Sequence, residues 1–161
     1  LMYTISRFKM AALAGLQVVL LAVLIPASIY GCGFPYEDFD GQCLYIHATE
    51  WTWRDGRVVC QSLNGELSDD FDIDSFVNYL RNHPEMNSVQ FWVGATEKYS
   101  QGIYKWLDGS LVDGPWEDGS PKGPQGDGSF CVGIEYVDED TYGLMDGPCT
   151  DEKRFICQPA A

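Results

Sequence analysis

The chain has 161 residues, with 24 Asp and Glu against 10 Lys and Arg, a net charge of −14 and 45% apolar residues. That length suffices for one domain with a real core, and so acidic a balance excludes a nucleic-acid partner, which needs clustered positive charge to hold phosphate. The acidity itself gives solubility and self-repulsion, and its sharper reading is attraction for calcium, cationic surfaces or mineral.

The first element is hydrophobic. Arg7 and Lys9 precede an almost wholly apolar run, Ala11 to Ile29, and the small residues Ala27, Ser28 and Gly31 mark a cleavage point. This is the pattern of a secretory signal peptide over 1–31. The run is also long enough to cross a bilayer, so an uncleaved signal anchor with Arg7 and Lys9 in the cytoplasm is the alternative. Pro26 and the fall in hydrophobicity at Gly31 favour cleavage. Leu1 stands first, which makes Met2 or Met10 the candidate start. The expected destination is extracellular, with no membrane contact after cleavage.

All six cysteines, at 32, 43, 60, 131, 149 and 157, follow that run. An even count in an oxidising compartment predicts a structural disulfide framework. Zinc is disfavoured, because there is no Cys-x-x-Cys pair and the two histidines, His47 and His83, stand far apart. Six cysteines allow many pairings, and composition does not choose among them.

Downstream, Phe39 to Ile46 around Asp40-Gly41 read as an extended or hairpin segment. Thr52 is the expected N-cap of a helix over 53–63, with Trp53, Gly56, Val59, Cys60 and Leu63 along one face and Asn64-Gly65 as its stop. A second helix is expected over 72–82, where Ile73, Phe76, Val77 and Leu80 fall at helical spacing and His83-Pro84 ends the pattern. From Gln90 onward, Phe91 to Gly94, Tyr104 to Leu107, Phe130 to Tyr136 and Phe155 to Cys157 read as short strands separated by Gly, Pro and Asp. The stretch between Leu107 and Phe130 is rich in glycine and proline and reads as a long irregular loop. With no internal repeat or second linker visible, residues 32–158 form one domain.

Trp53, Phe91, Trp92, Trp106 and Phe155 are the expected core. Trp116, Tyr99 and Tyr104 lie in or near the loop, where an aromatic face could stack on a sugar ring, although packing is the stronger reading for Trp116. Catalysis is not expected. There is no Gly-x-Ser-x-Gly elbow, the cysteines are expected to be oxidised, and neither histidine has a nucleophile beside it. Among so many acids, a pair such as Asp69-Asp70 carries no message about glycoside hydrolysis.

Trp53, Gly56 and Cys60 in the first helix, then Phe91-Trp92-Val93-Gly94, Lys105-Trp106, Asp108-Gly109, Trp116, Cys131, Gly147-Pro148-Cys149 and Phe155-Ile156-Cys157, occur in one order. That order resembles the long form of the C-type lectin-like domain over essentially Cys32 to Cys157, with Gly56 where the family usually has Ala. The resemblance implies an α+β fold of two helices and two small antiparallel sheets, with a long loop bearing the binding face. It also implies the bridges Cys32 to Cys43, Cys60 to Cys157 and Cys131 to Cys149.

In that family, sugar binding depends on calcium held by a Glu-Pro-Asn or Gln-Pro-Asp triplet in the loop, a Glu before the Cys131 equivalent and an Asn-Asp pair near the Cys149 equivalent. Calcium takes only oxygen ligands, and these also bond the sugar hydroxyls. Here the triplet position reads Ser120-Pro121-Lys122, Ser129 takes the place of the Glu, and Met145-Asp146 that of the pair. An ammonium at 122 opposes a cation and donates where acceptors are needed. By resemblance, Trp116, Ser120, Pro121, Lys122, Ser129, Met145 and Asp146 are the candidate ligand-binding residues. Asp146 is the one surviving principal metal ligand. Glu97 is the candidate at an auxiliary calcium site, whose other acids are replaced by Gln101 and Gly123. Glu117-Asp118, Asp127 and Asp138-Glu139-Asp140 offer carboxylates for an unorthodox site, although such runs are usually solvated loops.

The function expected is non-catalytic recognition by a secreted protein that binds carbohydrate, microbial glycans in innate defence among them, with calcium dependence in doubt. The alternative is a lectin-fold module that binds protein, lipid or mineral without sugar recognition.

Overall fold

A computed structural model describes residues 31–69, 72–97, 102–123, 130–138 and 141–160. Except for Gly31, the expected leader over 1–31 lies outside the described residues, as do Asp70, Tyr99, Gln101, Asp127, Ser129, Glu139 and Asp140.

Among the described residues, eight strands and two α-helices follow in order, with a short 3-10 turn at Pro84–Met86 after the second helix: β1 (Glu37–Phe39), β2 (Gln42–Trp51), α1 (Trp53–Ser62), β3 (Gly65–Leu67), α2 (Ile73–Arg81), β4 (Phe91–Thr96), β5 (Lys105–Trp106), β6 (Phe130–Tyr136), β7 (Tyr142–Pro148) and β8 (Lys153–Pro159). The expected α+β class and both helices are present. The strands join in one path, β1-β2-β8-β4-β6-β7, with β3 on β8 and β5 on β4. All the pairs are antiparallel except β4 with β8, where Trp92 lies opposite Phe155.

Each helix begins where a side-chain oxygen can satisfy free backbone donors. Thr52 accepts from the Asp55 N–H, and Asp72 accepts from the N–H groups of Asp74 and Ser75; such caps contribute about 1 kcal/mol each. On α1 the buried face is Trp53, Gly56 and Cys60. Gly56 lets the Phe155 ring lie against the helix, since a Cβ there would stand 3.1 Å from that ring. On α2, Phe76, Val77 and Leu80 are buried.

The core divides in two. One cluster gathers Leu44, Phe76, Leu80, Phe91, Val93, Val132, Ile134, Leu144 and Ile156 beneath α2. The other joins Trp53, Leu67, Trp92 and Phe155 to the bridged cysteines beside α1. Trp53, Phe91, Trp92 and Phe155 are buried as expected, whereas Trp106 is half-buried at the edge of the first cluster. The Trp53 indole N–H donates to the Val93 carbonyl at 2.7 Å, and that of Trp92 to the carbonyls of Trp51 and Asp151. These bonds satisfy the polar edge of each buried ring.

The bridges are Cys32–Cys43, Cys60–Cys157 and Cys131–Cys149, with Cα separations of 5.4, 5.4 and 5.0 Å. The first closes the β1–β2 hairpin, the second ties α1 to β8, and the third holds β6 to the end of β7. Among the described residues, no helix is long and apolar enough to cross a membrane.

Candidate functional site

The long connection from β5 to β6 is anchored before it becomes irregular. The Asp108 carboxylate accepts from the Ser110 N–H and hydroxyl, at 2.8 and 2.7 Å, and Leu111 returns to bridge Lys105. Further on, Glu117 N–H donates to the Leu144 carbonyl and Leu144 N–H to that of Pro115, both at 2.8 Å. This puts the loop alongside β7. Gly143 permits the approach: its φ is +124°, and a Cβ there would lie 2.8 Å from the Pro115 oxygen.

Trp116 is carried inward by this pairing. Its ring meets that of Tyr104 edge-on at a centroid distance of 5.2 Å and packs against the first core cluster. The Ser120–Pro121 peptide bond is cis, and the chain then turns so that two successive backbone donors face β7. Lys122 N–H reaches Asp146 Oδ1 at 2.7 Å, and Gly123 N–H reaches Oδ2 at 2.9 Å. The Tyr104 hydroxyl donates to Oδ2 at 2.6 Å.

Asp146 is therefore a buried carboxyl group, 4% exposed, whose two oxygens are both engaged by donors. Burial raises the Tyr104 pKa well above the ordinary range, and the bond to Asp146 and the charges of Asp146 and Glu97 push it the same way. The phenol thus stays a donor.

This geometry tests whether the family's calcium would fit. The residues at the principal position do not suit it: both Asp146 oxygens face N–H and O–H donors, Lys122 brings an ammonium, and Ser120 Oγ is buried with no hydrogen-bond partner among the described residues. Glu97, 7% exposed, already accepts from the Gly102 N–H. Among the described residues, no group of three or more His, Cys, Asp or Glu is placed to hold a metal ion.

The candidate residues are thus only partly assembled. Trp116, Ser120, Pro121, Lys122 and Asp146 converge on the cis turn. Met145 alternates to the other face of β7, with its sulfur close to Gly133. Ser129 lies outside the described residues.

A second polar group lies nearby, joined only by the fold. Lys153, 9% exposed, lies 4.8 Å from the centroid of the Trp92 ring and donates to the Gln90 carboxamide. Gln90 in turn donates to Glu135 at 2.9 Å. Burial, reinforced by the charge of Glu135 and a hydrogen bond shared with it, raises the Glu117 pKa, while Lys122 opposes the rise. Burial lowers the Lys153 pKa against the nearby acids Asp151, Glu135 and Glu50. Glu117 precedes the cis turn, so this network reaches the base of the loop.

Comparison with known proteins places this geometry. Residues 49–159 match the model of the lectin C-type domain. The hepatic lectin of Gallus gallus is 23% identical over 138 residues, covering 81% of this chain and 62% of its own length. The chain therefore spans less than two thirds of that relative. Among solved structures, the C-type lectin domain of murine dendritic cell inhibitory receptor 2 in complex with N-glycan superposes with a TM-score of 0.64 at 20% identity, over 81% of this chain and all of that one. Herring type II antifreeze protein gives a TM-score of 0.64 at 19% identity, also over 81% of this chain and all of its own.

Proposed function

The chain belongs to the C-type lectin domain family, whose members bind rather than catalyse, and on that premise we propose a secreted recognition protein that binds carbohydrate without calcium at the principal position. The binding face of this reading is the loop over 116–129 with the Asp146 strand, and microbial glycans in innate defence are its ligands. The observation that carries it is the engagement of Asp146 by the N–H groups of Lys122 and Gly123 and by the Tyr104 hydroxyl. Those donors neutralise the carboxylate and shape the loop, the task a metal ion performs when the full ligand set is present.

In place of metal-held hydroxyls, the loop offers the exposed Lys122 ammonium as donor. Three disulfides within one small domain support an oxidising destination. Cleavage of a leader over 1–31 ahead of a domain over 32–158 belongs to the same reading.

Binding of protein, lipid or mineral without sugar recognition is the second reading. It is favoured by the same engaged carboxylate and by a fold shared with an antifreeze protein. Retention on a panel of immobilised glycans, first with calcium and then with chelator, separates the two. The proposal expects glycan retention that chelator leaves unchanged. Calcium-dependent retention released by a simple sugar overturns the metal-free mechanism, and failure to bind any glycan transfers the case to the second reading.

A further inference from the structure

A cleft of about 450 Å³ opens between the β1–β2 hairpin and α2, lined by Glu37, Asp38, Asp40, Asn78, Tyr79 and His83 among others. It belongs to the β1 end of the strand path, whereas the candidate sugar face is built on β7 at the other end. The two are separate sites.

The lining is one-sided in chemistry. No Lys or Arg contributes to it, and its carboxylates are incompletely used. Asp38 Oδ1 accepts from the Gly41 N–H at 2.6 Å and Asp40 Oδ2 from the Ser75 hydroxyl at 3.1 Å. That leaves Asp38 Oδ2, Asp40 Oδ1 and the whole Glu37 carboxylate without a hydrogen bond among the described residues.

Two of the lining's donors are spent inward: Asn82 Nδ2 goes to the Asn78 carbonyl and His83 Nδ1 lies 2.8 Å from that of Tyr79. An apolar wall stands beside these acceptors. Phe39 and Tyr79 meet edge-on at 4.7 Å, and His83 covers Tyr79 at 4.0 Å. Glu37, Phe39 and Tyr79 also line a smaller cleft of about 220 Å³ with Leu44, Ile46, Met86 and Arg154. The acid-rich mouth therefore runs on into a largely apolar slot with Arg154 on its wall. The local field is negative as well: after burial, the charges of Glu37 and Glu85 raise the Tyr79 pKa.

We propose that this cleft binds a basic peptide segment, taking an Arg or Lys side chain with its cationic head among Glu37, Asp38 and Asp40 and its methylene stem along Phe39 and Tyr79. A guanidinium brings several donors and no acceptor, which complements a lining of free acceptors. Its stem buries well against aromatic rings while the head stays charged. The net charge of −14 steers such a ligand toward the protein.

The test titrates the full domain with tri-arginine and follows backbone amide shifts by NMR, with the neutral isostere tri-citrulline, glucosamine and calcium as separate arms. Shifts are expected at 37–41 and 75–83, with citrulline, glucosamine and calcium leaving those amides in place. Glu37→Gln and Asp40→Asn should each weaken tri-arginine binding about tenfold, the loss of one close charge pair. Glu152→Gln, which removes an equal charge from an exposed residue outside the cleft, should change it less than about twofold. Glu37 is exposed, and Asn at 40 retains an acceptor for Ser75, so both variants fold. The proposal fails if Glu152→Gln weakens binding as much as Glu37→Gln, if citrulline binds equally, if glucosamine or calcium moves the same amides, or if tri-arginine shifts appear instead at 116–123. Failure of the cleft proposal leaves the glycan reading standing, because that reading rests on the other end of the sheet and is decided by retention on glycans.

Discussion

A carboxylate buried as deeply as Asp146 needs donors around it, because an unpaired charge in a low-dielectric interior is strongly penalised. Its three donors come from the loop turn and from Tyr104. Asp146→Asn turns one acceptor into a donor facing donors, so stability should fall by about 2 to 3 kcal/mol, read as a lower urea midpoint. Tyr104→Phe removes only the hydroxyl and should cost about 1 to 2 kcal/mol in the same direction. If the proposed sugar face is right, glycan retention falls in both variants. Glu117 gives a pH signature. Its folded pKa is raised above the ordinary 4.5, so the folded state binds its proton more tightly than the unfolded chain. That contribution is complete below pH 4.5 and is lost as pH rises through the folded value. Glu117→Gln removes the ionisation, so its stability relative to wild type should climb with pH above 4.5 and level off once wild-type Glu117 is ionised. A parallel pair of thermal-melting curves would show that Glu117 carries no such linkage.

Elements were legible in the sequence in proportion to how much of their signal is local. Both helices announce themselves by cap and spacing, and α1 and α2 end within a residue of their expected bounds. The β1–β2 hairpin is signalled by Asp40-Gly41, where both φ angles are positive; β2, however, runs on to Trp51 because β8 lies beside it to pair with. Two strands gave no sign. β3 is three residues long and hidden behind the stop signal Asn64-Gly65, and β7 contains Gly143, Gly147 and Pro148, which read as loop until β6 supplies its seven partners. The site divides the same way. Asp146 was visible as the surviving acid, but its partners at 122 and 123 are backbone N–H groups, which no residue type encodes, and Glu117, Glu135, Gln90 and Lys153 are joined only by the fold. At β3 close approach replaces side-chain identity: a Cβ on Gly65 would sit 2.0 Å from Tyr36 Oη and 2.3 Å from the Gln158 carbonyl. Gly65→Ala must push β3 off β8 and should cost about 1 to 3 kcal/mol by overpacking. Asp72→Ala, which strips the α2 cap, should cost about 1 kcal/mol. Chemical denaturation of each variant checks both, and a stable Gly65→Ala protein would mean that Tyr36 swings aside and the β8 backbone at Gln158 gives way as well.

For the whole molecule the governing question is which crosslink holds the domain together. The Cys60–Cys157 bridge spans 97 residues of sequence and Cys32–Cys43 only 11. In the chain-entropy model, closing the longer loop restricts the unfolded chain by about 4 to 5 kcal/mol and the shorter by about 3 kcal/mol. Structure adds to the difference. Cys60 and Cys157 are wholly buried in the cluster with Trp92 and Phe155, and their bond fastens α1 to the strand that pairs with β2, β3 and β4. Cys32 and Cys43 lie only at the margin of that cluster. Replacing each pair by alanines should therefore leave Cys32→Ala/Cys43→Ala folded with a lowered melting temperature, while Cys60→Ala/Cys157→Ala loses at least about 4 kcal/mol, a large share of what holds a domain of this size. Losses of equal size in the two variants would show that the hairpin bridge organises more than its own loop. The longer bridge would then not be the one on which the sheet depends.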